Sequence, residues 1–191
     1  MTTTLQNRLN AILPRVTEPE FLQTKGLGNE IGFWIFDYPA ESEMMVRSHL
    51  KLLAAALESK HSTIAVTHIN LFTMVCEYLQ ERNFLDKSFK IQKVKGNDAL
   101  TKALAGPLDM QRLAPYIVET SQAADQDLIL LSGVGSAWPL LRGHGLLNNL
   151  HALLGHKPVV LFFPGSYDGQ ALSLFGRVPS NNYYRAFKLI P

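Results

Sequence analysis

The chain has a single cysteine, Cys76, so no internal disulfide can form and the fold must rest on its apolar core. Long hydrophobic runs are missing as well. Val159 to Phe163 is among the longest, far short of the roughly 20 apolar residues that span a bilayer as a helix. The amino terminus, Met-Thr-Thr-Thr-Leu-Gln-Asn-Arg, has no apolar stretch leading to small residues, which argues for a cytoplasmic protein rather than a secreted one. Charge of one sign is scarce: 18 Lys plus Arg against 16 Asp plus Glu leave a net +2, too little for a global field that gathers nucleic acid. Metal-binding patterns are absent. There is no His-Glu-x-x-His, no cysteine pair and no Asp-rich loop, and His144 and His151, seven apart, lack a third ligand. Neither Ser136 nor Ser166 lies in Gly-x-Ser-x-Gly, which argues against serine hydrolase chemistry. No metal and no cofactor are expected.

What is present is an apolar majority organised into alternating patterns. Hydrophobic residues make up 47% of the chain and charged ones 18%, the balance of a globular fold rather than a disordered tail. The densest stretch is Leu128 to Leu131, four large aliphatics without alternation, which suits a strand covered on both faces. It runs into Ser132-Gly133-Val134-Gly135-Ser136 and then a helix-compatible segment. Strand, glycine turn and helix form the junction where open α/β sheets collect ligands. A P-loop needs Lys followed by Ser or Thr after its glycines, and a dinucleotide turn needs a third small residue where this chain has Trp138. The turn is therefore either a phosphate-site lookalike with a structural role or an anion cradle. Its candidate rim is Asp37, Ser132, Gly133, Gly135, Ser136, Arg142 and His144, with Arg142 suited to bidentate contact with phosphate or carboxylate.

Along the chain, Leu5, Leu9 and Ile12 predict a short lead-in helix ended by Pro14. Ile31 to Phe36 reads as the first core strand. Asp37 after it is a helix cap or a functional carboxylate, and Met45, His49, Leu52, Leu53 and Ala56 predict one face of the next helix. A second strand over Thr63 to Thr67 precedes a helix capped by Asn70, with Leu71, Met74, Val75, Tyr78 and Leu79 on its stripe. Cys76 lies off that stripe, without a cation to lower its pKa. Phe89, Ile91 and Val94 suggest a short polar edge strand. Lys87, Lys90, Lys93 and Lys95 would then be its solvated face or, as a weaker reading, a DNA-binding strip. Helical patterns follow over 98–105 and 108–124, with Pro115 kinking or starting the second. Leu146, Leu147, Leu150, Leu153 and Leu154 form a later apolar face. Val159 to Phe163 is a second enclosed strand closed by Pro164-Gly165, Asp168-Gly169 turns the chain, and Tyr183 to Leu189 adds a terminal strand.

Strands separated by helices predict a three-layer α/β fold with a mainly parallel, Rossmann-like or P-loop-like sheet, helices on both faces and a C-terminal edge strand. The expected organisation is one domain over 1–191: a lead-in helix in 1–20, core units over 31–163 and a strand extension over 164–191.

Six segments go further: Lys25 to Glu30, Phe36 to Pro39, Leu131 to Ser136, Leu140 to Leu150, Phe162 to Gly165 and Asn182 to Phe187. They resemble, in order over about residues 20 to 188, the BrxB family of bacterial BREX phage-defence systems. That resemblance implies a component of a system that restricts phage and methylates host DNA. It implies work beside the phosphatase-like PglZ, favoured for direct contact, with BrxC and PglX as further partners, and no catalytic activity. Tyr183, Tyr184 and Arg185 are candidate interface anchors, since Tyr and Arg are favoured there, though core packing also suits the tyrosines. The competing reading is a nucleotide- or anion-binding α/β enzyme using the turn at 132–136. No membrane partner and no direct nucleic-acid contact are expected.

Overall fold

The computed structural model describes residues 4–23, 32–141, 143–179 and 186–191, and of residues 143, 144 and 179 the backbone alone. It opens with three short helices, α1 (Leu5–Asn10), α2 (Ile12–Val16) and α3 (Pro19–Leu22), the first capped by the Thr4 hydroxyl accepting from the Asn7 N–H. Pro14 does not end the lead-in helix, as its sequence position suggested. It sits in the first turn of α2, where a backbone N–H has no intrahelical acceptor and its loss is harmless.

Strand β1 (Phe33–Tyr38) leads through a tight 3-10 turn, Ala40–Ser42, into α4 (Glu43–Lys60). The buried stripe of α4 is Val46, Leu50, Leu53 and Leu57, whereas Met45 is 48% and Leu52 69% exposed. The expected face is thus rotated by about one residue. The helix carries apolar side chains on overlapping stripes, and the sheet selects the one richer in leucine, each burial contributing roughly 1.5–3 kcal/mol.

Strand β2 (Val66–Asn70) starts three residues later than expected and passes directly into α5 (Leu71–Glu81). Asn70 caps α5 as read from sequence, its Oδ1 accepting from the N–H groups of Phe72 (3.1 Å) and Thr73 (3.2 Å). The predicted strand over 89–94 is instead part of α6 (Leu85–Leu104), which is interrupted at Gly96 (φ +80°, ψ −179°). Phe89 and Ile91 imitate a period of two. The contacts obey a helical one, with Leu85, Ser88 and Ile91 turned toward the protein at intervals of three. The four lysines therefore stand on a helix, not on a strand face.

Helix α7 (Met110–Thr120) accommodates Pro115 internally and is capped by Asp109. The chain then forms β3 (Leu128–Ser132), the single turn α8 (Val134–Ala137), α9 (Gly143–Leu154), β4 (Val159–Tyr167), β5 (Leu172–Leu174), β6 (Val178–Pro179) and β7 (Phe187–Lys188). The main sheet has the order β2-β3-β4-β1-β7, all pairs parallel, while β5 and β6 continue antiparallel from the carboxyl end of β4. Pro164 does not close β4. Pairing with β3 has ended at Leu131 and Leu161, so one flank of Pro164 needs no N–H, and the strand continues to Tyr167 against β5.

The sheet is enclosed on both sides, as its uninterrupted aliphatic strands require. One core sets Ile35, Ile129, Leu131, Val159 and Leu161 against α5, α7 and α9; the other sets Phe36, Leu128, Leu130, Val160 and Phe162 against α1 to α4. This is the three-layer α/β architecture expected from the sequence.

Candidate functional site

Because the main strands are parallel, their carboxyl ends share one rim. The connection leaving β1 crosses the sheet on the α4 side, and the connection leaving β3 crosses on the α9 side, so the rim parts between them. Such a parting is the usual ligand crevice of an open α/β sheet. Here the strand between them is β4. It outruns its neighbours and folds back as β5 and β6, placing the chain's own hairpin over the rim.

The glycine turn is packed by that hairpin and by α5. Gly133 takes φ +79°, and a Cβ there would lie 2.5 Å from Asn70 Oδ1; a Cβ on Gly135 would lie 2.9 Å from both Phe175 Cε1 and Pro164 Cγ. The glycines are thus required by approaching protein atoms and, at Gly133, by a left-handed backbone. Trp138 stacks edge-on against Phe175 at 6.2 Å, which fixes the hairpin to the segment following α8. The helix-compatible segment after the turn is one turn long, too short for a substantial dipole.

The two serines of the turn have separate partners. Buried Ser132 Oγ lies 2.8 Å from His68 Nε2, and burial lowers the His68 pKa, so the ring is neutral near pH 7. Exposed Ser136 Oγ accepts from the Arg47 guanidinium at 2.9 Å, and Arg47 Nε is itself held by Glu43 Oε1 at 2.7 Å. Tyr38 donates to the other Glu43 oxygen at 2.6 Å; burial first, and then that carboxylate, push its phenol pKa far upward. A cation does reach the turn, but it arrives with a carboxylate already paired to it.

Asp37 belongs to a third cluster. It does not cap the following turn: Oδ1 accepts from Arg8 at 2.7 Å and Oδ2 from the Tyr167 N–H at 3.0 Å, with Lys188 Nζ at 3.7 Å. Arg8 also donates to the carbonyls of Asp37 (2.8 Å) and Ile190 (3.0 Å) and lies 4.8 Å above the Phe36 ring. One carboxylate therefore ties the first helix, the β4 hairpin and the chain end together. Ser132 shares the pleat parity of Leu130 and Asp37 that of Ile35, so the two are on opposite faces of the sheet with β4 between them.

Of the other sequence-derived candidates, Arg142, Tyr183, Tyr184 and Arg185 lie outside the described residues, and His144 contributes only its backbone to α9. Cys76 is half-buried, and burial with neighbouring Glu77 raises its thiol pKa, the reverse of a reactive cysteine. Sequence reasoning missed Arg8, Arg47, His68, Tyr167 and Phe175. The contacts that bring Arg8, Arg47, His68 and Tyr167 to these clusters reach across 29 to 130 residues, or further in Arg8's bond to Ile190, and no local pattern reports such distances.

The BrxB family profile, "BREX protein BrxB", matches residues 67–189, from β2 through the glycine turn and hairpin to the last strand. A BREX protein BrxB of Escherichia coli O9:H4 (strain HS) is 43% identical over 187 residues, covering 98% of this chain and 92% of that protein. The chain belongs to the BrxB family. A second BrxB, from Bacillus cereus (strain H3081.97), is 39% identical over 188 residues and covers 97% of both chains. No solved structure matches the chain. As a BrxB family member the protein is a component of a BREX defence system, as the sequence resemblance implied. Among the described residues, no helix of this BrxB chain is long and apolar enough to cross a membrane.

Proposed function

We propose that this chain is a non-enzymatic adaptor of its BREX system, acting in the cytoplasm by protein contact, with PglZ its direct partner and BrxC and PglX further contacts. One observation carries the reading: the β3 turn, where an α/β enzyme of this topology would seat an anion, is packed by Asn70, Pro164 and Phe175, and its nearby cation Arg47 is paired to Glu43. A rim filled in this way holds the sheet together and leaves the outer surfaces for recognition. Tyr183, Tyr184 and Arg185 remain proposed anchors in that contact.

The test is affinity capture of the tagged chain from cells that express the complete BREX set, followed by reconstitution with purified PglZ. The adaptor reading expects PglZ to be retained through washing and to re-form a complex from pure components. Failure of the wild-type chain to retain any BREX component would overturn it.

A further inference from the structure

Helix α6 and the turn after it form the least covered part of the described chain, and they carry its positive charge. Between Arg82 and Arg112 there are seven Lys or Arg and three Asp or Glu, a net +4, although the whole chain is only +2. The remainder is therefore net negative, so the positive field is local to this segment. Along the outer side of α6, Phe89 is 60% and Val94 78% exposed. Helical spacing interleaves them with lysines: Phe89 with Lys93 and Lys90 with Val94 at i,i+4, and Lys87 with Lys90 at i,i+3. Isolated apolar surface residues are ordinary, but these two large ones, five residues and so about 140° apart around the helix, bracket Lys90 and Lys93 and make a broad mixed apolar and basic surface on an otherwise solvated helix.

At the root of the helix this face meets a pocket of about 410 Å³ lined by Tyr78, Arg82, Phe84, Gly106, Pro107 and Arg112. The Arg82 guanidinium stacks 3.7 Å above Tyr78, and Lys87 Nζ lies 5.2 Å from the Phe84 ring centre. A lining that combines the Tyr78 and Phe84 rings with Arg82 and Arg112 suits an apolar side chain flanked by carboxylates. Nucleic acid is a poorer fit. Aliphatic Val94 offers no stacking surface for a base, and Asp86 and Asp98 interrupt the basic strip.

We infer that α6 and the adjoining Arg82–Arg112 pocket are the docking surface for an acidic, amphipathic segment of a partner protein, whose apolar side chains contact Phe89 and Val94 while its carboxylates meet Lys87, Lys90, Lys93 and Arg112. This deepens the adaptor reading and rests on it. The partner is recognised by its charge and its apolar anchors.

Full-length tagged chains carrying Lys90→Glu with Lys93→Glu, or Phe89→Ser with Val94→Ser, are compared with wild type in the same capture from BREX-expressing cells, with Leu52→Ser, an exposed apolar change on α4, as control. All the altered side chains are exposed, and circular dichroism and melting verify the fold. Retained BREX protein should fall at least about tenfold for both α6 variants and stay unchanged for Leu52→Ser, with wild-type retention weakening as salt rises. Benzoylphenylalanine in place of Phe89 should cross-link to a peptide of net negative charge. If wild type retains no BREX protein, the adaptor reading falls and takes this surface with it. If wild type retains a partner and the α6 variants retain it equally, the surface alone is refuted. Cross-linking to nucleic acid, or to a peptide without excess acid, also overturns it.

Discussion

Asp37 shows how a residue with the position of a catalytic carboxylate can serve structure instead. It ends a core strand at the ligand-collecting rim, yet both oxygens are engaged, one by Arg8 and the other by the Tyr167 backbone. Removing the carboxylate takes the counter-charge from a largely covered guanidinium, which keeps only the carbonyls of Asp37 and Ile190, and takes the side-chain acceptor from a buried N–H. Asp37→Ala should therefore cost about 2–4 kcal/mol in urea unfolding, and a loss below roughly 1 kcal/mol would refute the tie. Two histidines make a second residue-scale case. Burial lowers the pKa of His49, against the opposing pull of a Leu9 backbone hydrogen bond, and burial lowers that of His68. The unfolded chain then takes up protons below about pH 6.5 that the folded chain resists. Stability is fully present above that pH and declines as pH falls through the gap. Melting temperatures measured from pH 7.5 to 5.0 should drop less in a His49→Gln, His68→Gln double variant than in wild type. Equal slopes would contradict the assignment.

Among the elements, the glycine turn and the hairpin over it depend on each other. Gly133→Ala combines a left-handed backbone with a contact that displaces the Asn70 cap of α5, and should destabilise by about 2–3 kcal/mol. Asn70→Ala alone should cost about 1 kcal/mol. Because the Asn70 side chain is the obstacle, the double variant should lose less than the sum of the single losses, by at least about 0.5 kcal/mol; strict additivity in chemical denaturation would contradict the contact. Elements are also where legibility in the sequence ran out unevenly. Leu128 to Ser132, the Asn70 cap and the α5 stripe could be read because each is a local pattern: an unbroken aliphatic run, a cap before a periodic segment, an apolar period of 3.6. The α6 strand reading failed because a thin helical stripe of Leu85, Ser88 and Ile91 is fainter than the chance alternation of Phe89 and Ile91. The extension of β4 past Pro164 was hidden because proline marks a strand end only when both flanks are paired. The site was legible only in part. The turn could be located from its glycines, but Phe175, Arg47 and Asn70 as its occupants depend on tertiary approach.

For the whole molecule, the distribution of charge and cover separates two regions. The rim of the sheet is turned inward and held by its own side chains, whereas α6 is open and locally basic in a chain close to neutral. A component of a multi-protein defence system with this division should interact through its outer surface and show no small-molecule response at its strand ends. Ligand binding to the native state must raise apparent stability, by about 2.7 kcal/mol at a hundredfold excess over Kd, or on the order of 5–10 °C in a chain of this size. The most direct measurement is therefore a thermal-shift and calorimetric titration of the purified full chain with ATP, GTP, NAD and inorganic phosphate. The account predicts no shift and no saturable heat with any of them. A saturable stabilisation of several degrees that disappears in Arg47→Met or Ser136→Ala, with the fold intact, would contradict it.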